Sequence, residues 1–240
     1  MAATNLRNSL EGGTDSVTLT TGNSGGASGD AFTGVAAWIF TNVHPIDTMA
    51  IRTQNPGTTL FVVRWAVSGA AAASRTYVYL TSLPTVDLQV LNMGDTVAVT
   101  LIINSAGKAR LTSNSVTLWN ATNDFPINQW VRVELFATAS TDSADGTAMA
   151  AYYLLDDVAA VEESGSFTAL NTAGTSGTFA NTRFGKNSSG SYTGDIYLDN
   201  VAADYGTTEE VANFVGPQTL LPPVLESSGV SAVTVGLRLG

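Results

Sequence analysis

The sequence predicts an all-β domain, a sandwich or a barrel, on three observations. Runs rich in β-branched and aromatic residues recur along most of the chain. Several of them alternate apolar with polar at a period of two, the spacing of a strand with one buried face. Clusters of Gly, Asn, Ser and Pro separate them and supply turns.

In chain order the clearest runs are "TTLFVVRWAV" (58–67), "RTYVYLTSL" (75–83), "DTVAVTLIIN" (95–104), "WVRVELFATA" (130–139) and "TAMAAYYLLDD" (147–157). Between them lie the turn clusters "NPGT", "NSAGK", "SADG" and "NSSGS". "IINSAGKARL" predicts a hairpin with Gly107 where positive φ is needed. In the strand from Trp130, the alternation sends Val131, Val133 and Leu135 into the core and Arg132 and Glu134 outward, with Trp130 capping one end. In "DIYLDNVAAD" a bulge near Asn200 is needed if Leu198 and Val201 are both to be buried. Only "TTEEVANF" (207–214) reads as helical, and it is short. Strands at near-regular intervals without intervening helices are what a sandwich or barrel requires.

The composition narrows what such a domain does. The chain has 240 residues, 44% of them apolar, enough for a full core. Charged residues are only 12%, about half the usual share, and the net charge is −10 with two lysines, Lys108 and Lys186. That surface repels phosphate backbones and anionic membranes, which excludes nucleic acid and membrane as expected partners. Absent cysteines exclude disulfides, thiolate nucleophiles and Cys-ligated zinc. The start "MAATNLRNSL" lacks the apolar stretch of a secretory signal, so work outside a cell implies release by assembly or lysis.

From residue 216 the character changes. "GPQTLLPPVLESSGVSAVTVGLRLG" carries Pro217, Pro222 and Pro223, then the alternating "SAVTVGLRL". One reading is a frayed tail; the other is a docking arm, because a bare apolar edge invites pairing with a neighbour. The expected division is an N-terminal arm at 1–10, a sandwich at 11–205, and a short helical turn with an extended docking tail at 206–240. On the docking reading, deleting 216–240 leaves the fold and abolishes assembly.

A family resemblance enters from residue 95 onward. "VAVTLIINSAGKARL", "NQWVRVEL", "AAYYLLDDVAA" and the closing "NTRFGKNSSGSYTGDIYLDNVAAD" follow one another as in concanavalin A-like (laminin G-type) jelly rolls. With "NSLEGGTD" and "NSGGASGDAF" near the start, the likeness spans residues 5–205. It implies an antiparallel jelly-roll sandwich. The opening motifs also resemble virion decoration and minor tail proteins of tailed actinobacteriophages. That resemblance implies a location on the virion surface, other virion proteins as partners, a homo-oligomer (a trimer by the habit of such proteins), and host-surface glycan as a further partner.

Catalytic signatures are missing. His44, the only histidine, sits in "NVHPID" and reads as a locally bonded loop residue. No Gly-x-Ser-x-Gly elbow follows a strand, and no phosphate loop, dinucleotide fingerprint or Glu-x-Asp-x-Glu strand occurs. The expectation is therefore a non-enzymatic structural protein, with a glycan-binding module as the rival and a polysaccharide-cleaving enzyme third. For glycan or interface contacts the candidates are Trp65, Tyr77 and Tyr79. Tyr77 and Tyr79 share one strand face, although aromatics at strand spacing are also the usual material of a core.

The remaining candidates are Glu11 and Asp199. The resemblance implies a structural calcium between an acid near the first strand and an aspartate in the last. Glu11 in "LEGGTD" and Asp199 in "IYLDN" match those positions, with Leu10 where the family usually has Phe. Gly12 and Gly13 would let backbone carbonyls turn toward an ion. The alternative is that Glu11 opens a solvated turn and Asp199 caps a strand.

Overall fold

The structure, a computed structural model, describes residues 2–54, 56–95, 98–142, 145–154, 161–173 and 176–218. Fifteen strands and no helix occur among the described residues. The first six are β1 (Thr4–Asn8), β2 (Gly34–Ala36), β3 (Ile39–Thr41), β4 (Ala50–Arg52), β5 (Phe61–Gly69) and β6 (Ala71–Leu80). There follow β7 (Leu88–Gly94), β8 (Ala98–Ile103), β9 (Ala109–Ser113), β10 (Val116–Asn120) and β11 (Trp130–Thr138). The last four are β12 (Gly146–Leu154), β13 (Glu163–Leu170), β14 (Phe179–Lys186) and β15 (Ile196–Gly206).

They form two antiparallel sheets packed as a sandwich. The eight-stranded sheet runs β13-β12-β11-β6-β15-β4-β3, with β1 also paired to β15. The seven-stranded sheet runs β10-β9-β8-β7-β14-β5-β2. First and last strands are neighbours, Asn8 lying opposite Val201. Between the sheets sits one core that includes Trp38, Trp65, Val131, Val133, Leu135, Phe179 and Phe184.

Local sequence explains the elements. In β5, Phe61, Val63, Trp65 and Val67 are buried while Arg64, Ala66 and Ser68 are exposed, the pattern of a strand with one wet face. The hairpin between β8 and β9 closes as expected: Gly107 takes φ +77° and its N–H donates to the Asn104 carbonyl. The bulge in β15 is also present. Pairing with β6 slips between Asp199 and Ala202, Asn200 adopts φ +49°, and Leu198 and Val201 are both buried.

β6 and β11 differ from the simple alternation, because both of their faces are buried. Arg132 and Glu134 do point away from the core, yet they are 2% and 0% exposed. Two pieces of chain cover that face. One is the loop carrying His44, whose ring stacks on Tyr79 at 4.7 Å. The other is the segment after β15, where the helix expected over "TTEEVANF" is one turn, Glu210 and Val211 donating to the Thr207 carbonyl. Beyond it the Gly216 N–H donates to Glu134 Oε2 at 2.8 Å, Arg75 Nη1 to the Gly216 carbonyl at 3.0 Å, and the Gln218 N–H to the Tyr77 hydroxyl at 3.2 Å. The start of the tail is thus bonded to the sheet at Pro217's two neighbours. Pro222, Pro223 and "SAVTVGLRL" lie outside the described residues.

Candidate functional site

The outer face of the seven-stranded sheet carries a row of polar side chains, of which Asn92, Thr100 and Thr112 are only 5–6% exposed. The strand registers align Thr117, Thr112, Thr100, Asn92, Arg183, Arg64 and Gly34 as successive partners across β10, β9, β8, β7, β14, β5 and β2. One polar rung therefore crosses the whole sheet. Six inter-strand steps of about 4.8 Å make it about 29 Å long. The adjacent register row, Leu111, Leu101, Leu91, Phe184 and Val63, points the other way and is core.

Over the rung lies a groove of 480 Å³ whose lining includes Gln89, Asn92, Thr100, Arg110, Arg183 and Asn187. Asn92 is the hinge of its hydrogen bonding. Its Nδ2 donates to Thr100 Oγ1 at 3.0 Å, and its Oδ1 accepts from Arg183 Nη1 at 3.1 Å. Arg183 also donates to the Gly94 carbonyl at 2.7 Å and pairs with Asp95. Arg110 pairs with Asp87 through Nη2, while its Nε is buried and has no partner. Counting Arg64 on the rung, three guanidiniums face two carboxylates, which leaves this face locally cationic on a chain of net charge −10.

Past Arg183 and Asn187, which line both, a second depression of 270 Å³ continues over Val35, Leu60, Val62 and Arg64. Gly34 makes room at that end, since a Cβ there would lie 2.4 Å from Arg64 Nε. The whole strip consists of hydrogen-bond donors and acceptors fixed by paired strands, followed by an apolar ledge. Such a surface can hold an extended, hydroxyl-rich chain and meet negative charge at Arg110 and Arg183.

The residues singled out from sequence lie elsewhere. Trp65 is a core residue, 1% exposed, packed against Phe32 and Phe184, with its Nε1 donating to the Ala31 carbonyl. It is therefore no surface platform. Tyr77 and Tyr79 do share the outer face of the eight-stranded sheet, but chain segments cover them: Tyr77 is 4% exposed beneath Gln218, and Tyr79 is stacked under His44. Tyr197 and Trp130 meet Tyr79 edge-on, completing an internal aromatic cluster.

Glu11 and Asp199 are brought to one segment, residues 46–49. The Glu11 carboxylate accepts from the N–H groups of Thr48 and Met49, each at 3.2 Å, and from the Thr48 hydroxyl. Asp199 accepts from the Ile46 N–H at 2.9 Å and the Asn200 N–H at 2.7 Å. Burial, with the charges of Glu11 and Asp47 adding to it, pushes the Asp199 carboxyl up to about 8, against the pull of those two N–H donors. The donor set does not fit calcium well. Among the described residues no group of three His, Cys, Asp or Glu side chains is arranged to hold a metal ion, and calcium needs six to eight oxygens. The two glycines serve packing rather than carbonyl turning. Neither has positive φ, which falls on Leu10 at +67°; a Cβ on Gly13 would lie 2.1 Å from the Phe40 ring, and one on Gly12 2.8 Å from Ser28 Oγ.

The groove residues were missed because each is unremarkable alone. The available signal was the polar member at the outward position of successive strands: Asn92, Thr100, Arg110 or Thr112, and Arg183.

Sequence comparison finds no matching family model and no matching curated protein. Shape comparison does find similar structures. The PL-14 alginate lyase of Aplysia kurodai superposes with a TM-score of 0.58 at 12% identity, over 85% of this chain and 98% of that one. The endo-β-1,4-glucuronan lyase of Trichoderma reesei gives 0.55 at 12% identity, over 85% and 96%. The carbohydrate esterase of the Shiga toxin-encoding bacteriophage phi24B gives 0.51 at 11% identity, over 85% and 100%. These likenesses show the fold, a jelly-roll-like β-sandwich.

They also correct the expectation of a non-enzymatic protein. All three structures are named as enzymes, so the sandwich is one on which catalysts are built. The missing serine-hydrolase and glycosidase signatures do not bear on elimination chemistry, which needs a neutralised carboxylate and a proton acceptor rather than a catalytic triad.

Proposed function

We propose that this protein is carbohydrate-active and engages a uronate-containing polysaccharide along the polar rung of the seven-stranded sheet. The observation that carries this reading is the groove in which Arg110 and Arg183, on paired strands, stand among Gln89, Asn92 and Asn187. Guanidinium forks bind carboxylates in two-pronged fashion, and amides and threonine hydroxyls suit sugar hydroxyls. The groove's length suits several sugars rather than one. The fold is shared with lyases named for alginate and glucuronan, both polyuronates, which supports this substrate class by analogy. Neutralising a uronate carboxylate is one of the two requirements of β-elimination, and it is the one that Arg183 and Arg110 address. The phage setting implied by "NSLEGGTD" and "NSGGASGDAF" fits this reading, and one structure with this fold is a bacteriophage carbohydrate esterase.

The test is titration with alginate and glucuronan oligosaccharides against neutral cello-oligosaccharides, with ultraviolet absorbance following any unsaturated uronate released. Saturable binding of the acidic chains, at least tenfold weaker in Arg183→Met, supports the reading. Equal binding of neutral and acidic chains, or none, overturns it.

A further inference from the structure

A second pocket lies on the opposite sheet. It occupies 330 Å³ between β1, β6, β15 and the chain segment at 215–218, with Arg7, Arg75, Asn200, Val201, Pro217 and Gln218 among its walls. Its polar groups are poorly matched to one another. Arg7 pairs with Asp204 at 2.6 Å, and Arg132 with Glu134 at 2.9 Å. Arg75 has no such partner: among the described residues no carboxylate pairs with it directly. Two of its nitrogens donate to the carbonyls of Gly216 and Asn200, and its Nε has no acceptor.

This residue is only 4% exposed. A buried cation without a contacting anion is costly, and burial indeed pushes the Arg75 pKa down, opposed by the through-space influence of Tyr77 and Glu134. Beside it, Asn200 is 2% exposed and its Nδ2 also lacks an acceptor. On the tail side Gln218 Oε1 is buried without a donor, although the Gln218 backbone N–H is bonded to Tyr77. Two orphaned donors, one of them cationic, thus share a pocket with one orphaned acceptor.

We propose that this pocket binds a small hydroxycarboxylate of monosaccharide size, such as a free sugar acid. Arg75 Nε, Asn200 Nδ2 and Gln218 Oε1 are closed to solvent in this structure, so binding requires their side chains to shift toward the pocket. The carboxylate then sits on Arg75 Nε and Asn200 Nδ2, and a hydroxyl donates to Gln218 Oε1. Each buried group then gains the partner it lacks, and the unpaired guanidinium gains its counter-ion. The site is separate from the groove, being on the other face of the sandwich and sharing no residue with it.

Calorimetric titration of the full chain with sodium glucuronate tests the proposal, with glucose as the control lacking a carboxylate. Saturable binding of glucuronate, with glucose at least tenfold weaker, is expected. Asn200→Asp replaces the donor by a carboxylate while retaining a side chain that tolerates positive φ, and should weaken glucuronate at least tenfold. Gln218→Ala, at the rim and with its backbone bond intact, should weaken it several-fold and serves should Asn200→Asp fail to fold. Arg183→Met should remove any glucuronate bound in the distant groove while leaving the Asn200- and Gln218-dependent binding unchanged, which separates the pocket from the polysaccharide reading. Absence of saturable binding means the pocket holds only water and overturns the proposal. So does equal affinity for glucose, or undiminished affinity in the folded Asn200→Asp and Gln218→Ala proteins.

Discussion

Asp199→Asn should abolish the pH dependence of stability that this one carboxyl imposes. Asp199 is fully buried, and its pKa is raised from 3.8 to about 8. The folded state therefore keeps a proton that the unfolded chain releases near its ordinary value. The resulting stabilisation is complete below pH 3.8 and is lost as pH rises through about 8. A shift of about four units at ~1.4 kcal/mol each makes roughly 6 kcal/mol across that window. Asparagine cannot ionise, so the variant lacks this slope. It does lose one acceptor, because the Ile46 and Asn200 N–H groups use separate Asp199 oxygens, at a cost of about 1–2 kcal/mol. The two stability curves should cross: wild type ahead in acid, the variant ahead by several kcal/mol above about pH 8. Denaturant unfolding of both proteins at matched pH values reads this directly. Parallel curves would refute the buried-proton account. Calcium held between Glu11 and Asp199 would invert it, since a cation stabilises the ionised carboxyl. A chelator-sensitive rise in stability with pH, seen in wild type and absent from Asp199→Asn, would establish that ion.

Two further outcomes follow from packing. Gly13→Ala should cost about 1–3 kcal/mol in denaturant unfolding, because its Cβ overlaps the Phe40 ring, whereas Gly26→Ala meets no atom within 4 Å and carries only the strain of φ +71°. A chain ended after Gly206 should melt several degrees lower than one ended after Gln218, because Glu134, Arg75 and Tyr77 lose the backbone partners at Gly216 and Gln218.

Much of the fold was legible because strands with one buried face write that face into every second residue. Phe61, Val63, Trp65 and Val67 show it plainly, and the Asn200 bulge was readable because Leu198 and Val201 cannot otherwise both face inward. The covering of the eight-stranded sheet was not legible. Tyr77, Tyr79, Arg132 and Glu134 look like solvent-facing residues until the loop at 42–49 and the segment at 207–218 lie across them. The groove escaped for a different reason. Asn92 and Arg183 are register partners separated by 91 positions in the chain, and only strand pairing places them side by side. Glu11 and Asp199 do reach one segment from opposite ends of the sequence, but their oxygens turn to the backbone of 46–49.

The polar rung has a consequence for how such a surface can change. Thr112, Thr100, Asn92 and Arg183 stand directly beside Leu111, Leu101, Leu91 and Phe184, which face the interior. A slip of one residue in any central strand would exchange the two rows, and loss of the core would forbid it. Within that fixed frame, each outward position can be replaced without altering what its inward neighbour packs against. Substitutions can therefore rewrite this face one strand at a time, while the interior that keeps the protein folded stays untouched.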